Sequence, residues 1–138
     1  MEIRLSDNKI KANSPDAVES IFKPILAAES EIDQDKEHFW VVGIRGNNRV
    51  HYIELVSLGV LNASIAHPRE VFRFAIIKSV SHIILVHNHP SGSTTPSEED
   101  RRITAQMINA GNVVGIKVLD HVIIGEDRRS SFQEMGLI

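Results

Sequence analysis

The chain has 138 residues, a single domain's length, and is 42% hydrophobic and 24% charged. That is the balance of a globular protein, not of a disordered tail or a fibrous repeat. A net charge of −3 with no cysteine excludes disulfides, thiol catalysis and cysteine-ligated zinc. It also argues against a domain built mainly to grip phosphate backbones, so a nucleic-acid partner has no support from charge. No apolar run reaches the ~18 residues of a membrane span, and Met1–Asp7 hold no apolar leader core. The expected setting is the reducing cytoplasm, with no membrane contact. Seven histidines are present, so a transition metal would need imidazole and carboxylate ligands.

Residues 1–13 are polar with scattered Ile and Leu and read as an edge strand. Ser14-Pro15-Asp16 opens a helix, with Ser14 as N-cap, Pro15 at the first position and Asp16 facing the dipole. Val18, Ile21, Phe22, Ile25 and Leu26 follow at helical spacing. Pro24 inside that run is expected to kink or divide it. The acidic stretch Glu29–Glu37 reads as exposed. Phe39–Ile44 and Arg49–Val56, rich in β-branched and aromatic residues, flank Gly46-Asn47-Asn48 and predict a β-hairpin. A Gly59–Ala66 connection leads to a second Pro-opened helix from Pro68, with Val71, Phe72, Ala75 and Ile76 on one face.

His82–His87 is a continuous apolar run bounded by histidines, as in a central strand covered on both faces. Asn88–Thr95 reads as a loop. Thr95-Pro96-Ser97-Glu98 fits a capping box with Thr95 as N-cap, opening a helix to about Ala110 that Gly111 would cap. Ile116–Leu119 and His121–Ile124 read as two closing strands. The order α-β-β-α-β-α-β-β predicts an α/β fold, a mixed β-sheet flanked by helices, in a single domain over residues 1–138.

The chemistry sits in His87–Asp100. Alternate residues of an extended chain point to one side, so His87 and His89 share a side just past a buried strand. That edge of an open α/β sheet is where ligands bind. Asp100 falls near the second turn of the following helix, with Ser97 three residues earlier on the same face, so Asp100 can face the two imidazoles. Two histidines and one carboxylate leave one position of a tetrahedral zinc open for water, whose pKa such an ion lowers to about 7. Hydrolysis also needs a group to carry that water's proton. Glu54, inside the apolar run Tyr52–Val56, is the leading candidate, because a buried carboxylate needs a reason. Glu70 competes, although dipole compensation in a first helical turn explains it without catalysis.

These residues strongly resemble the JAMM motif of JAB/MPN metallopeptidase-like domains: His87-x-His89-Pro90, six residues, Ser97, two residues, Asp100, after an upstream Glu. More narrowly the chain is similar to the RadC family. The strings that carry this are Leu61–Phe72, His87–Gly92, Pro96–Asp100 and Leu119-Asp120-His121. The resemblance covers about residues 36–138. It implies a cytidine-deaminase-like JAB/MPN sandwich and a zinc-dependent hydrolase of peptide or isopeptide amide bonds, acting on a peptide or protein substrate. By motif match it implies His87, His89 and Asp100 as zinc ligands, Glu54 as general acid/base, and Ser97 as the hydrogen-bond donor to the oxyanion. RadC relatives carry an N-terminal helix-hairpin-helix region that this sequence starts too late to hold, so the expectation is a stand-alone JAB domain. Two alternatives stand beside the hydrolase: a zinc-bearing interaction module without turnover, and a DNA-associated protein of the kind the family name suggests.

The remaining candidates have plainer readings. His67 reads as a helix-entry residue, and Asn88 as a loop former. His121 reads as a structural partner of Asp120 that could also reach the metal site behind its ligands. His38, His51 and His82 read as structural, and Arg101-Arg102 and Arg128-Arg129 as solvated pairs. His87-Asn88-His89 is not an HNH nuclease motif, whose residues are dispersed over a ββα unit. The zinc-deaminase signature needs cysteines this chain lacks. Cleavage preference and oligomeric state leave no trace in the sequence.

Overall fold

The hairpin forms where the β-branched runs predict it. In the computed structural model, which describes residues 1–3, 10–59, 61 and 66–138, strands β2 (His38–Arg45) and β3 (Arg49–Leu58) pair antiparallel. Asn47 and Asn48 make the turn with φ of 65° and 58°, left-handed values that asparagine tolerates better than most residues. Ahead of the hairpin lie β1 (Glu2–Ile3), helix α1 (Pro15–Ala27) and a single turn α2 (Glu31–Gln34). After it come α3 (Pro68–Ile77), β4 (His82–Asn88), α4 (Glu98–Val114), β5 (Lys117–Ile124) and β6 (Arg129–Ser131). The sheet runs β1-β3-β2-β4-β5-β6, all antiparallel except the β4–β5 pair. The long crossover through α4 is what a parallel pair requires.

Helices cover both faces. On one, Phe39, Val41, Ile83 and Leu85 pack against Val71, Phe72 and Ala75 of α3 and Ile103 and Met107 of α4. On the other, Trp40, Val42, Ile84, Val86 and Val122 pack against Val18 and Phe22 of α1. β4 is therefore buried on both sides, as its unbroken apolar run predicts. No helix among the described residues is long and apolar enough to cross a membrane.

Several boundaries differ from the sequence reading. Pro24 lies inside α1 without dividing it. The stretch 29–37 is not all exposed coil: Ser30 caps α2, and Glu37 is partly buried. Helix α4 starts at Glu98, not Pro96, and its N-cap is Ser97, not Thr95. It also runs past Gly111 to a cap at Gly115, where φ is +76°. Gly111 serves contact instead: a Cβ there would lie 2.3 Å from the Ile116 carbonyl oxygen. The two closing strands are one, β5, with a register shift opposite Ile83/Ile84 that passes over Leu119. The predicted N-terminal edge strand is seen at Glu2–Ile3, and its residues 4–9 lie outside the described residues, as do 60 and 62–65 of the Gly59–Ala66 connection. Arg129 is not a solvated cation: it pairs with Asp16 at 2.9 Å and with Glu134, tying β6 to α1.

Candidate metal centre

β4 delivers His87 from its last turn of pleat and His89 from the residue just past its end. His87 is fully buried and His89 half-buried. The loop then turns at Gly92, where φ is +86°, and returns to α4. Ser97 and Asp100 form a reciprocal capping box: Asp100 N–H donates to Ser97 Oγ at 3.0 Å, and Ser97 N–H donates to Asp100 Oδ2 at 2.8 Å. This cap does two jobs at once. It satisfies orphan donors of the helix start, and it holds the Asp100 carboxylate in the first turn, facing the histidines.

The three side chains converge. His87 Nε2 lies 2.8 Å from His89 Nε2 and 3.2 Å from Asp100 Oδ1, and His89 Nε2 lies 3.0 Å from Asp100 Oδ2. Donor atoms around a tetrahedral zinc with ~2.0 Å bonds stand roughly 3.3 Å apart. The three contacts, two of them to different Asp100 oxygens, are within about half an ångström of that spacing, and two imidazole nitrogens with one carboxylate are a donor set that zinc accepts. The residues therefore fit a divalent metal ion.

Electrostatics agree with the geometry. Burial alone would raise the Asp100 carboxyl, but the adjoining imidazoles of His87 and His89, with the Ser97 N–H, outweigh it and hold the group far below the usual carboxylate range. The hydrogen bond with Asp100 raises His89 above an ordinary histidine against the opposing effect of burial. His89 Nδ1 donates to the Ser93 carbonyl at 2.9 Å, which leaves Nε2 as the atom that faces the cluster. Burial drives His121 well below its ordinary value. Its ring does not pair with Asp120, whose carboxylate takes the His121 backbone N–H and the Ser131 hydroxyl.

Glu54 stands elsewhere. It pairs across the sheet with Val41, and Val41 with Leu85, so it lies two strands over and two residues back from His87, on the order of 12 Å away between backbones. Its Oε2 accepts from Arg73 at 3.3 Å, and Arg73 also pairs with Glu70 at 3.0 Å. Burial raises the Glu54 carboxyl, with the N-terminal ammonium and Arg73 opposing. The structure brings together four of the five predicted site residues, His87, His89, Ser97 and Asp100, and leaves Glu54 outside the cluster.

A different carboxylate lies beside the cluster. β2 and β4 pair Phe39 with His87, and continuing that antiparallel register sets Glu37 opposite His89. The Glu37 charge contributes to raising His89. Leu61 N–H donates to Glu37 Oε2 at 3.2 Å, and Gly59 N–H to the Glu37 carbonyl at 2.8 Å. Asn88 brackets the same residue: its Oδ1 accepts from His38 N–H at 2.6 Å and its Nδ2 donates to the Lys36 carbonyl at 3.1 Å. So Asn88 ties the site's central strand to the start of β2. Two further histidines lie outside the cluster: His67 caps α3 by accepting the Arg69 N–H, and His38 stacks on Trp40.

Comparison with known proteins agrees. The RadC-like JAB domain model matches residues 12–137. A UPF0758 protein of Caldanaerobacter subterraneus is 58% identical over 73% of this chain and 43% of its own length. Another from Syntrophomonas wolfei is 46% identical over 91% of this chain and 53% of its own. A third, from Methanosarcina barkeri, is 41% identical over the whole chain and 58% of its own. The chain thus spans about half the length of the curated relatives it matches. With the sheet, the crossover and the His-His-Asp cluster in place, the chain belongs to the RadC-like JAB domain family.

Proposed function

We propose that this domain is a zinc-dependent hydrolase of peptide or isopeptide amide bonds, with His87, His89 and Asp100 holding the ion. The observation that carries the reading is the convergence of His87 Nε2, His89 Nε2 and the Asp100 carboxylate within 2.8–3.2 Å of one another at the mouth of the central strand. An ion with three protein donors supplies Lewis acidity and lowers the pKa of water to about 7.

The chain's own residues do the rest. Leu61 N–H engages Glu37 Oε2, which leaves Oε1 to take a proton from the attacking water and return it to the leaving nitrogen. Ser97 Oγ already accepts the Asp100 N–H, so its own hydrogen is directed to the carbonyl oxygen as charge develops there. A groove lined by Lys23, Leu26, Asp35, Pro90 and Glu126 shares the His89 wall and offers a seat for an extended peptide. For Glu54 to act as the base, as the sequence reading had it, its carboxylate would have to leave Arg73.

The test is metal analysis of the purified protein followed by a peptide-library digest. One zinc per chain, lost in His89→Ala together with any cleavage, is the expected result. A wild-type protein that takes up no zinc, or cleavage that survives in His89→Ala, overturns the reading.

A further inference from the structure

Behind His87, on the side away from the donor triangle, a buried chain of hydrogen bonds leads back to the helix that carries Asp100. His87 Nδ1 lies 2.7 Å from His121 Nε2, and His121 Nδ1 lies 2.6 Å from Thr104 Oγ1. Thr104 Oγ1 lies 2.7 Å from the backbone carbonyl of Asp100, four residues earlier in α4. Thr104 and His121 are 2% and 0% exposed, so no solvent molecule can supply a missing partner.

The far end of this chain fixes its direction. A carbonyl can only accept, so the single Thr104 hydroxyl hydrogen goes to Asp100. Towards His121 the same oxygen can then only accept, so His121 carries its hydrogen on Nδ1. The ring stacks on Phe132 with centroids 4.7 Å apart and meets the edge of Phe39 at 6.2 Å. Its two nitrogens face a hydroxyl and another imidazole, with no carboxylate oxygen on either among the described residues. A fully buried ring in those surroundings is neutral, so His121 Nε2 is a bare acceptor. It therefore requires a hydrogen on His87 Nδ1, and that leaves the His87 Nε2 lone pair pointing into the donor triangle. The opposite tautomer would place a hydrogen where a ligand bond must form.

We propose that Thr104 and His121 are positioning residues that fix the ligating tautomer of His87, coupling a ligand on β4 to a ligand on α4 through β5. The proposal rests on the metal-site reading above. It accounts for a buried polar pair, Thr104 and His121, that the hydrolytic steps do not use. Partners of this kind behind a ligand histidine change metal affinity by about 10–100-fold when removed.

The experiment uses Zn²⁺ in competition with a chromophoric chelator, and ring ¹⁵N spectra that report which imidazole nitrogen bears hydrogen. In Thr104→Val, zinc affinity is expected to fall at least tenfold, and Thr104→Ser, which restores the hydroxyl, to return to within about twofold of wild type. His121→Gln, whose amide oxygen can still accept from His87, is expected to bind zinc more tightly than His121→Leu. In the metal-free wild type, the spectra are expected to place hydrogen on Nδ1 of both His121 and His87. Hydrogen on His121 Nε2 overturns the proposal. So does a Thr104→Val protein that melts earlier yet holds zinc as tightly as wild type, because that is a packing role alone. A wild type that binds no zinc would sink the hydrolase reading, while the metal-free ring spectra would still decide the direction of the relay.

Discussion

Two corners of one sheet face each bury a carboxylate, and they differ in what surrounds it. Asp100 and Glu54 are 4% and 1% exposed. Asp100 is met on both oxygens by imidazole nitrogens and on one by the Ser97 N–H, and its charge is held far below the usual range. Glu54 has Arg73 on one oxygen, while its Oε1 has no hydrogen-bond partner among the described residues. Its proton affinity is raised by burial. Burial therefore says only that a carboxylate must be offset. The partners decide whether it ligates, titrates or closes an ion pair.

The sharpest way to break this contrast is to neutralise the two candidate bases separately. Glu37→Gln is expected to lower kcat on a cleaved peptide by about 10²- to 10⁴-fold with zinc content unchanged. Glu54→Gln is expected to stay within a few-fold of wild type. The reverse pattern, measured on the same peptide with metal analysis alongside, would move the base to Glu54 and require Arg73 to swing away.

Why the sequence pointed to Glu54 is a matter of range. The His87/His89 pair follows from strand parity, and Ser97/Asp100 from a three-residue spacing that the structure realises as a capping box, not as a shared helical face, so both were legible locally. A carboxylate inside an apolar strand is also a local signal, and it led to an ion pair with α3. Glu37 gives no such signal: it sits at the end of a polar stretch, and its place opposite His89 arises only from the β2–β4 pairing, some fifty positions apart in the chain. The same holds for His121, whose ring partners come from β4 and α4. Gly111 misled for a related reason. A helix-ending glycine and one admitted by a close backbone approach look alike until Ile116 is placed against it.

A smaller effect tests the partners of Asp100 in the metal-free protein. Asp100→Asn keeps an oxygen for the Ser97 N–H but removes the charge that accepts from His89 Nε2 and stands beside His87. Hydrogen bonds to charged groups contribute about 1.5–3 kcal/mol, and a loss in that range is expected by denaturant unfolding. A change below about 0.5 kcal/mol would mean that the histidines gain nothing from the carboxylate until metal binds.

The pH dependence of metal-free stability extends the same contrast. His121 is depressed by burial, so the unfolded chain takes up a proton that the fold refuses. Stability falls as pH drops below about 6.5, by up to ~1.4 kcal/mol per unit. His89 is raised by its hydrogen bond with Asp100. Its contribution is full below about 6.5 and is lost as pH climbs through the raised value. The two together give a maximum near pH 6.5, with Asp100 adding a further loss below about 4, where the unfolded chain's carboxylate takes up a proton that the folded one refuses. Bound zinc would deny His89 its proton, so the alkaline decline is expected to vanish in zinc-loaded protein. Its persistence with zinc would remove His89 from the ligand set.

The smallest effect belongs to the other corner, and its sign is the informative part. Glu54 binds a proton more tightly in the fold than in the unfolded chain, so above its unfolded value the charged form is a net cost at neutral pH. Arg73, about half exposed, offsets that cost only in part. Glu54→Gln is therefore expected to stabilise the protein at pH 7, by under about 1 kcal/mol, and the gain should shrink as pH falls towards 4. A destabilised variant would mean that the Arg73 pair outweighs burial. The two corners would then differ in partner alone, not in the sign of what the buried charge does.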